Sequence, residues 1–383
     1  MDWSFLIKNR ESLNVTTDSR KVTPGSIFVA LKGEHFDGND FVEQAKQDGA
    51  EYIISGENAL AELQDLARAW RRELGLPILG ITGTNGKTTT KELCATVLST
   101  KYNLFYTQGN LNNQIGVPLT LLSITRAHEM AIVEMGASHP GDIKELVEIA
   151  EPNYGLITNV GRAHLQGFGS FEGVMRTKAE LYDYLREHGG FCFRNTDNPY
   201  LTQMAGDLQS IPYTTGTMPE GTHLVGAYNA ENISAAICVG KYFGINEEAA
   251  LAAIRAYVPS NNRSQLLQTE RNIVVVDAYN ANPTSMQAAI NSFKGNCYIL
   301  GAMRELGEYS HLEHQNIVNM LLERKADKVL LIGEEYKETT APYPVFDNVD
   351  ALCAYLQKEP LVDYHILLKG SRSNTLEKVI PLL

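Results

Sequence analysis

No apolar run in this chain reaches the roughly 18 residues that a membrane-crossing helix requires, so an integral membrane protein is not expected. The opening stretch MDWSFLIKNRESL has no basic region followed by a long apolar run, and no secretory signal is expected there. Cysteine is sparse. Cys94, Cys192, Cys238, Cys297 and Cys353 are scattered, with no CxxC pair and no metal-ligand spacing. That excludes a disulfide framework and a thiolate metal site, and it fits reduced, mostly buried thiols in a cytoplasmic protein. Positive charge is in deficit, with 33 Lys and Arg against 45 Asp and Glu and a formal net charge of −12. A chain this acidic is a poor non-specific partner for nucleic acid, although a local loop can bind an anion whatever the global charge. Low-complexity tracts and short-period repeats are missing as well.

What is present is ordinary globular material. Hydrophobic residues make up 44% of 383, and a chain of this length divides into two or three domains of the usual size. Residues 1–75 hold short strand-like pieces, SIFVALKG (26–33) and AEYIIS (50–55), with a helix over DFVEQAKQDG (40–49). ALAELQDLARAWRREL (59–74) places Leu60, Leu63, Leu66, Ala67 and Trp70 on one face, which predicts an amphipathic helix. Gly75 and Pro77 follow it, and a domain boundary is expected near 75–77. Strand and helix then alternate. ILGITG (78–83) precedes a helix from about 87 to 101, AIVEMG (131–136) precedes GDIKELVEIA, and YGLITNVG (154–161) precedes SFEGVMRTKAELYDYLRE. This rhythm predicts a parallel sheet that binds ligand at the C-terminal ends of its strands. NISAAICVGKYFG (232–244) reads as a small-residue helix. A second α/β block has strands at NIVVVDAY (272–279), CYILGA (297–302), KVLLIG (328–333) and YHILLKG (364–370), with helices between them. It predicts another open, mostly parallel sheet.

Several constellations sit at predicted strand ends. The stretch ILGITGTNGKTTTKEL (78–93) runs from an apolar strand through Gly83, Thr84, Asn85 and Gly86 into a helix that opens with Lys87, Thr88 and Thr89. Backbone N–H groups of such a turn and the positive end of the helix dipole form an anion cradle. Lys87 would reach the outer phosphates and the Thr88 hydroxyl would ligate Mg²⁺. The spelling is GxxGKT, with Ile81 where the longer phosphate loop carries its first glycine. Glu134 ends AIVEMG, and a carboxylate beside a phosphate loop is the expected further Mg²⁺ ligand. His164 follows the third strand; alone it reads as a solvated loop side chain, and beside a nucleotide site it becomes a candidate. Lys178 lies on a predicted helix and by itself reads as a surface lysine. DAYNANPTSM (277–286) sets Asp277, Asn280 and Asn282 at a strand end, ahead of Pro283, which reads equally as a ligand crevice or a capped turn. Arg263, in YVPSNNRSQL, is a candidate phosphate clamp because a guanidinium matches phosphate oxygens bidentately. Lys369 ends the last strand in LLKGS.

Taken in this order, the pieces resemble the Mur ligases, ATP-dependent amide-bond formers of peptidoglycan synthesis. TTDSRKVTPGSIFVALKGEHFDGNDFVEQAKQDGA (16–50) resembles the family's UDP-binding domain. TGTNGKTTTKE, GNLNNQIGVPLTLL (109–122), VEMGASHPGDI, TNVGRAHLQGFGS and TKAEL resemble its central ATPase domain. GAYNAENISAA, NNRSQ, DAYNANPTSM, MRELGE and LLKGSR resemble the remaining motifs.

The resemblance implies an α/β fold of three domains. Residues 1–76 would bind the UDP-muramoyl group. Residues 77–258 would form a P-loop parallel-sheet ATPase domain, shortened near 214–222. Residues 259–383 would form a Rossmann-like domain for nucleotide and acceptor. Gly83 to Thr89 would cradle ATP, with Thr88 and Glu134 on one Mg²⁺ and His164 and Lys178 on a second, Lys178 as an N-carboxylated lysine. Asn229 and Asn232 match adenine-facing asparagines, and Arg263, Asp277 and Asn280 would approach the nucleotide. Ser19, Arg20, Lys32 and Asp37 lie in the uridine–muramoyl region, Asn112 and Asn113 in a substrate-binding stretch, and Lys369 and Ser371 beside the acceptor. YNANP and NLNN favour the dipeptide-adding branch, which implies UDP-N-acetylmuramoyl-tripeptide and D-Ala-D-Ala as substrates and a monomer as the working form. A related ligase using another amine, or a catalytically silent nucleotide binder, is the alternative. Three departures stand out: Gly301-Ala302 where the family carries Gly-Asp, the ending KGSRSNTLEKV, and a quick passage from TDNPYL to GAYN that omits tens of residues.

Overall fold

A computed structural model describes residues 2–260 and 262–383; Met1 and Asn261, the latter in the NNRSQ run, lie outside the described residues. The chain forms two compact units. The first takes Met1–Gly83, Cys94–Thr158 and Arg176–Tyr213, and the second takes Thr84–Leu93, Asn159–Met175 and Thr214–Leu383.

The first unit holds two sheets. A small parallel one joins β1 (Val15–Thr16), β2 (Ile27–Val29) and β3 (Tyr52–Ile54) in that order. The larger is built from β4 (Ile78–Thr82), β5 (Leu104–Tyr106), β6 (Met130–Glu134), β7 (Tyr154–Ile157), β8 (Phe191–Asn195) and β9 (Ser210–Tyr213). Its order is β5-β6-β4-β7-β8-β9, and every pairing is parallel. Every residue of β4 and β6 is buried, the condition under which a parallel strand reads as an unbroken apolar run. β4 lies between β6 and β7, so its C-terminal end opens at the switch point where such sheets bind ligands.

The amphipathic helix spans Ala59–Leu74, as its periodicity predicts. Leu63, Leu66, Ala67 and Trp70 are fully buried, and Gly75 ends it with φ +63°. The Trp70 indole N–H donates to the Ile124 carbonyl at 2.9 Å. This helix packs on Gly116–Leu122 and Asp142–Ala150, and one continuous apolar core runs from Trp3 through Trp70 to Leu208. The N-terminal segment therefore shares its core with the larger sheet.

β9 is an edge strand, and Pro212 within it lacks an N–H, which blunts the edge against pairing with another chain. No regular strand occupies the stretch from 214 to the helix that opens at Asn229. β5, β8, β9 and the helices Pro199–Ala205 and Glu247–Ala256 have no counterpart in the sequence expectations. Their segments are short or mix polar with apolar residues, so periodicity alone does not mark them.

The second unit carries β10 (Gln265–Gln268), β11 (Ile273–Asp277), β12 (Cys297–Gly301), β13 (Lys328–Ile332), β14 (Val345–Phe346) and β15 (His365–Lys369). The order is β10-β11-β15-β12-β13-β14; β10 is antiparallel to β11 and the rest are parallel. Helices Pro283–Ser292 and Ser310–Glu323 bury Met286, Ile290, Ile317 and Leu321 in one core. Helix Val349–Lys358 buries Val349, Leu352 and Leu356 in another. Two separate cores on one parallel sheet make it doubly wound. The last strand, β15, inserts between β11 and β12, which pairs Lys369 with Asp277 in register.

Candidate active site

The loop after β4 depends on two glycines. Gly83 has φ +143°, and a Cβ there would lie 2.0 Å from Thr158 Oγ1. Gly86 has φ +78°, and a Cβ there would lie 2.5 Å from Asn232 Oδ1. No side chain fits either place without displacing a neighbour. The loop is laced by asparagines in the second unit. Thr84 N–H donates to the Asn159 carbonyl (2.9 Å), Asn85 N–H to Asn159 Oδ1 (3.0 Å), and Asn159 Nδ2 to the Asn85 carbonyl (3.1 Å). Asn282 Nδ2 donates to Asn85 Oδ1 at 2.8 Å while Asn282 also caps the helix Pro283–Ser292. Thr90 Oγ1 donates to Asn232 Oδ1 (3.0 Å), Asn232 Nδ2 to Asn229 Oδ1 (2.9 Å), and Asn229 Nδ2 to the Val225 carbonyl (2.8 Å). Both asparagines of the NAEN run thus brace the loop and the first turn of Lys87–Leu98. Lys87 Nζ folds back to the Thr84 carbonyl at 3.2 Å, and Thr88 and Thr89 are buried. A helix start of this kind presents backbone N–H groups to an anion.

In the first unit, Glu134 ends β6 and is 1% exposed. Asn112 Nδ2 donates to Glu134 Oε1 at 2.9 Å, and Thr107 Oγ1 accepts from the Glu134 N–H at 3.0 Å. The NLNN stretch therefore orients the carboxylate through Asn112, while Asn113 Oδ1 accepts from Gly116 N–H (2.8 Å) and starts the next helix. Lys178 lies on helix Phe171–Glu187 and is 2% exposed. The reading of a solvated surface lysine is thereby corrected, because the helix turns this position inward. A buried ammonium is costly unless it is compensated by partners. Two positions on, Glu180 accepts from Gly141 N–H (2.9 Å) and Lys144 N–H (2.8 Å), and burial pushes its carboxyl above the usual range despite them. In the N-terminal region Arg20 grips Asp18 through Nε (2.8 Å) and Nη2 (2.9 Å), and this holds the Asp18 carboxyl down at about 2. Ser19 sits half-buried in the same turn, and Lys32 faces Asp37 at 3.7 Å.

His164, with φ +50°, pairs through Nδ1 with the Glu305 carboxylate of the MRELGE motif. Lys369 Nζ donates to Asp277 Oδ2 (2.6 Å) and to the Asn280 carbonyl (3.2 Å). The Arg263 guanidinium stands 3.8 Å over the Tyr279 ring centroid. Ser371 Oγ is buried and makes no hydrogen bond among the described residues. Ala302 lies fully buried in an apolar core, with its carbonyl accepting from Asn374 Nδ2 at 2.9 Å. Sequence reasoning missed Asn159, Glu305 and Tyr279. Asn159 lies inside TNVG and Asn282 inside YNANP, runs already singled out, but their partners are 74 and 197 residues away.

Among the described residues no group of three His, Cys, Asp or Glu side chains gathers. The Thr88 hydroxyl and the Glu134 carboxylate are hard oxygen donors, the chemistry that suits Mg²⁺.

Sequence models match residues 13–84 as "Mur ligase family, catalytic domain", 81–222 as "Mur ligase middle domain" and 262–372 as "Mur ligase, glutamate ligase domain". A Bacillus subtilis protein named UDP-N-acetylmuramoyl-tripeptide–D-alanyl-D-alanine ligase is 35% identical, over 96% of this chain and 92% of its own. An Escherichia coli protein of the same name is 31% identical, over 96% and 93%. The crystal structure of a MurF ligase from Thermotoga maritima in complex with ADP superposes with a TM-score of 0.86 at 27% identity, covering 98% of each chain. The alignment to the Bacillus protein runs over 421 positions yet uses 96% of these 383 residues, so about fifty positions of that relative have no counterpart here. The chain belongs to the Mur ligase family.

Proposed function

We propose that the chain is an ATP-dependent ligase that adds D-Ala-D-Ala to UDP-N-acetylmuramoyl-tripeptide, giving the pentapeptide precursor of peptidoglycan. The observation that carries this reading is the likeness to ligases of that name over nearly the whole chain. The loop with two obligatory glycines supplies the phosphate cradle.

In the reaction, the tripeptide's terminal carboxylate attacks the γ-phosphorus of ATP, ADP leaves, and an acyl phosphate forms. The amine of D-Ala-D-Ala then attacks the acyl carbon, and inorganic phosphate leaves from the tetrahedral intermediate. Positioning and charge neutralisation supply most of the catalysis in such transfers. Residues Gly83 to Thr89 hold the phosphates, and Lys87 neutralises charge on the transferred group. Thr88 and Glu134 would hold one Mg²⁺, and His164 with an N-carboxylated Lys178 a second; the ions would offset phosphate charge. Asn112 keeps the Glu134 carboxylate turned one way. Arg263, Asp277, Asn280, Asn229 and Asn232 serve the nucleotide. Ser19, Arg20, Lys32 and Asp37 serve the UDP-muramoyl group, Asn113 and Ser371 serve the peptide substrates, and Lys369 borders the acceptor with its charge committed to Asp277. The division of labour is 1–76, 77–258 and 259–383, with the missing positions falling around 214–222. The protein works as a monomer in the cytoplasm.

The test is phosphate release with MgATP and UDP-N-acetylmuramoyl-tripeptide, with and without D-Ala-D-Ala. Release that requires the dipeptide is expected. Release only with another amine would sink the reading.

A further inference from the structure

The cations around the C-terminal ends of β11 and β15 are not all available to a ligand. Lys369 is spent on Asp277 and the Asn280 carbonyl. Arg304 is spent on Glu335 and Ser373 Oγ. Arg263 and Arg372 differ. Among the described residues neither has an ion pair, and both stand over one ring, Tyr279, at 3.8 and 5.4 Å from its centroid. Stacking on an aromatic face holds a guanidinium in place while leaving its N–H edge free to meet an anion.

The backbone around this pair is built tightly. A Cβ on Gly370 would lie 2.9 Å from Gly301 Cα, and one on Gly301 would lie 2.5 Å from Asn374 Nδ2. The KGSRSN turn is thus pressed onto the end of β12, and the Asn374 bond to the Ala302 carbonyl pins it there. On the other side, Asn262 (φ +55°) and Ser264 (φ +50°) flank Arg263 in the left-handed region. Two such non-glycine residues in three positions cost free energy that other contacts must offset. Ala278 N–H donates to the Asn262 carbonyl (3.0 Å) and Tyr228 Oη meets Ser264 Oγ (2.7 Å). Ser371 Oγ, next to Arg372, is buried and has no hydrogen-bond partner among the described residues.

We propose that Arg372, held on Tyr279 and assisted by Ser371 Oγ, binds the C-terminal carboxylate of the acceptor dipeptide and makes the enzyme specific for a free acid at that end. This rests on the function proposed above. D-Ala-D-Ala reacts through its amine, so its carboxylate is the one full charge left to recognise. A planar guanidinium and a hydroxyl match a carboxylate, and Lys369 has already given its charge to Asp277. Tyr279 is a positioning residue that acts through Arg372.

The experiment compares D-Ala-D-Ala with D-alanyl-D-alaninamide as acceptors, in wild type, Arg372→Gln, Tyr279→Phe and Tyr279→Leu. Wild type is expected to prefer the acid by about tenfold to a hundredfold in KM, the worth of a charge-assisted bidentate contact. Arg372→Gln should raise KM for the acid by that factor and bring the acid-to-amide ratio near one, with KM for ATP within about twofold. Tyr279→Phe should keep the preference because the ring remains, and Tyr279→Leu should erode it. An active wild type whose preference survives Arg372→Gln would overturn this inference alone, as would a variant whose loss appears in KM for ATP. A wild type without dipeptide-dependent phosphate release would overturn the proposed function and this inference together.

Discussion

Gly86→Ala tests the phosphate loop most directly. The new methyl meets Asn232 Oδ1 at 2.5 Å, and the backbone sits at φ +78°. An L-residue in that region costs about 1 kcal/mol. Asn232 is a side-chain amide, and it would relieve the clash by moving. It is held by Thr90 Oγ1 at 3.0 Å and by Asn229 Oδ1 at 2.9 Å, both buried. Losing both bonds costs roughly 1 kcal/mol each. The variant should therefore unfold about 3 kcal/mol more easily, about a hundredfold in the equilibrium constant. Asn232→Ala alone should cost about 2 kcal/mol. In that background Gly86→Ala should cost only the backbone share of about 1 kcal/mol, giving a coupling of about 2 kcal/mol between the two sites. The assay is urea unfolding of wild type, both single variants and the double variant. Equal cost of Gly86→Ala in both backgrounds would refute the claim that Asn232 braces the loop.

Lys178→Ala should abolish ligation, and a small added carboxylate such as acetate or formate should restore part of it; full activity in the untreated variant would return Lys178 to a purely structural role. Lys87→Ala should lose ATP turnover, measured as ADP release, and unchanged turnover would mean that the loop does not hold the transferred phosphate. His314 is fully buried; its Nε2 accepts from Met303 N–H at 3.0 Å, its Nδ1–H donates to the Ser310 carbonyl at 2.7 Å, and burial lowers its pKa from 6.5. The unfolded chain then takes up the proton first as pH falls through 6.5, so stability declines below that point until the folded pKa is reached. With Glu313, Glu335 and Arg304 around the ring unchanged, His314→Gln should flatten that slope in unfolding measurements between about pH 7.5 and 5, and superimposable slopes would refute the assignment.

Much of the architecture was legible where a local rule sufficed. The helix Ala59–Leu74 follows from apolar spacing, with Gly75 as its stop. β4 and β6 follow from the buried runs ILGIT and MAIVE. The strands β5 and β9 were not legible, because three or four residues of mixed polarity carry no period and take their conformation from neighbours in the ladder. The site divides the same way. Gly83, Gly86, Lys87 and Thr88 were visible as one contiguous run. The brace on Asn85 from Asn282, the grip of Asn112 on Glu134, and the meeting of His164 with Glu305 join residues 197, 22 and 141 positions apart. No local pattern announces such pairs.

The sequence by itself determined the local chemistry: a phosphate loop, carboxylates and amides at strand ends, and the order of motifs that marks a Mur ligase. Tertiary structure alone decided which of those groups meet. It turned Lys178 inward from a helix that reads as a surface element. It placed β15 between β11 and β12, so that Lys369 faces Asp277 and Arg372 reaches the Tyr279 ring beside Arg263. Backbone preference and apolar period act over a few residues and are written locally, whereas sheet order and register are settled by packing of the whole core, and polar partners across strands follow from that register.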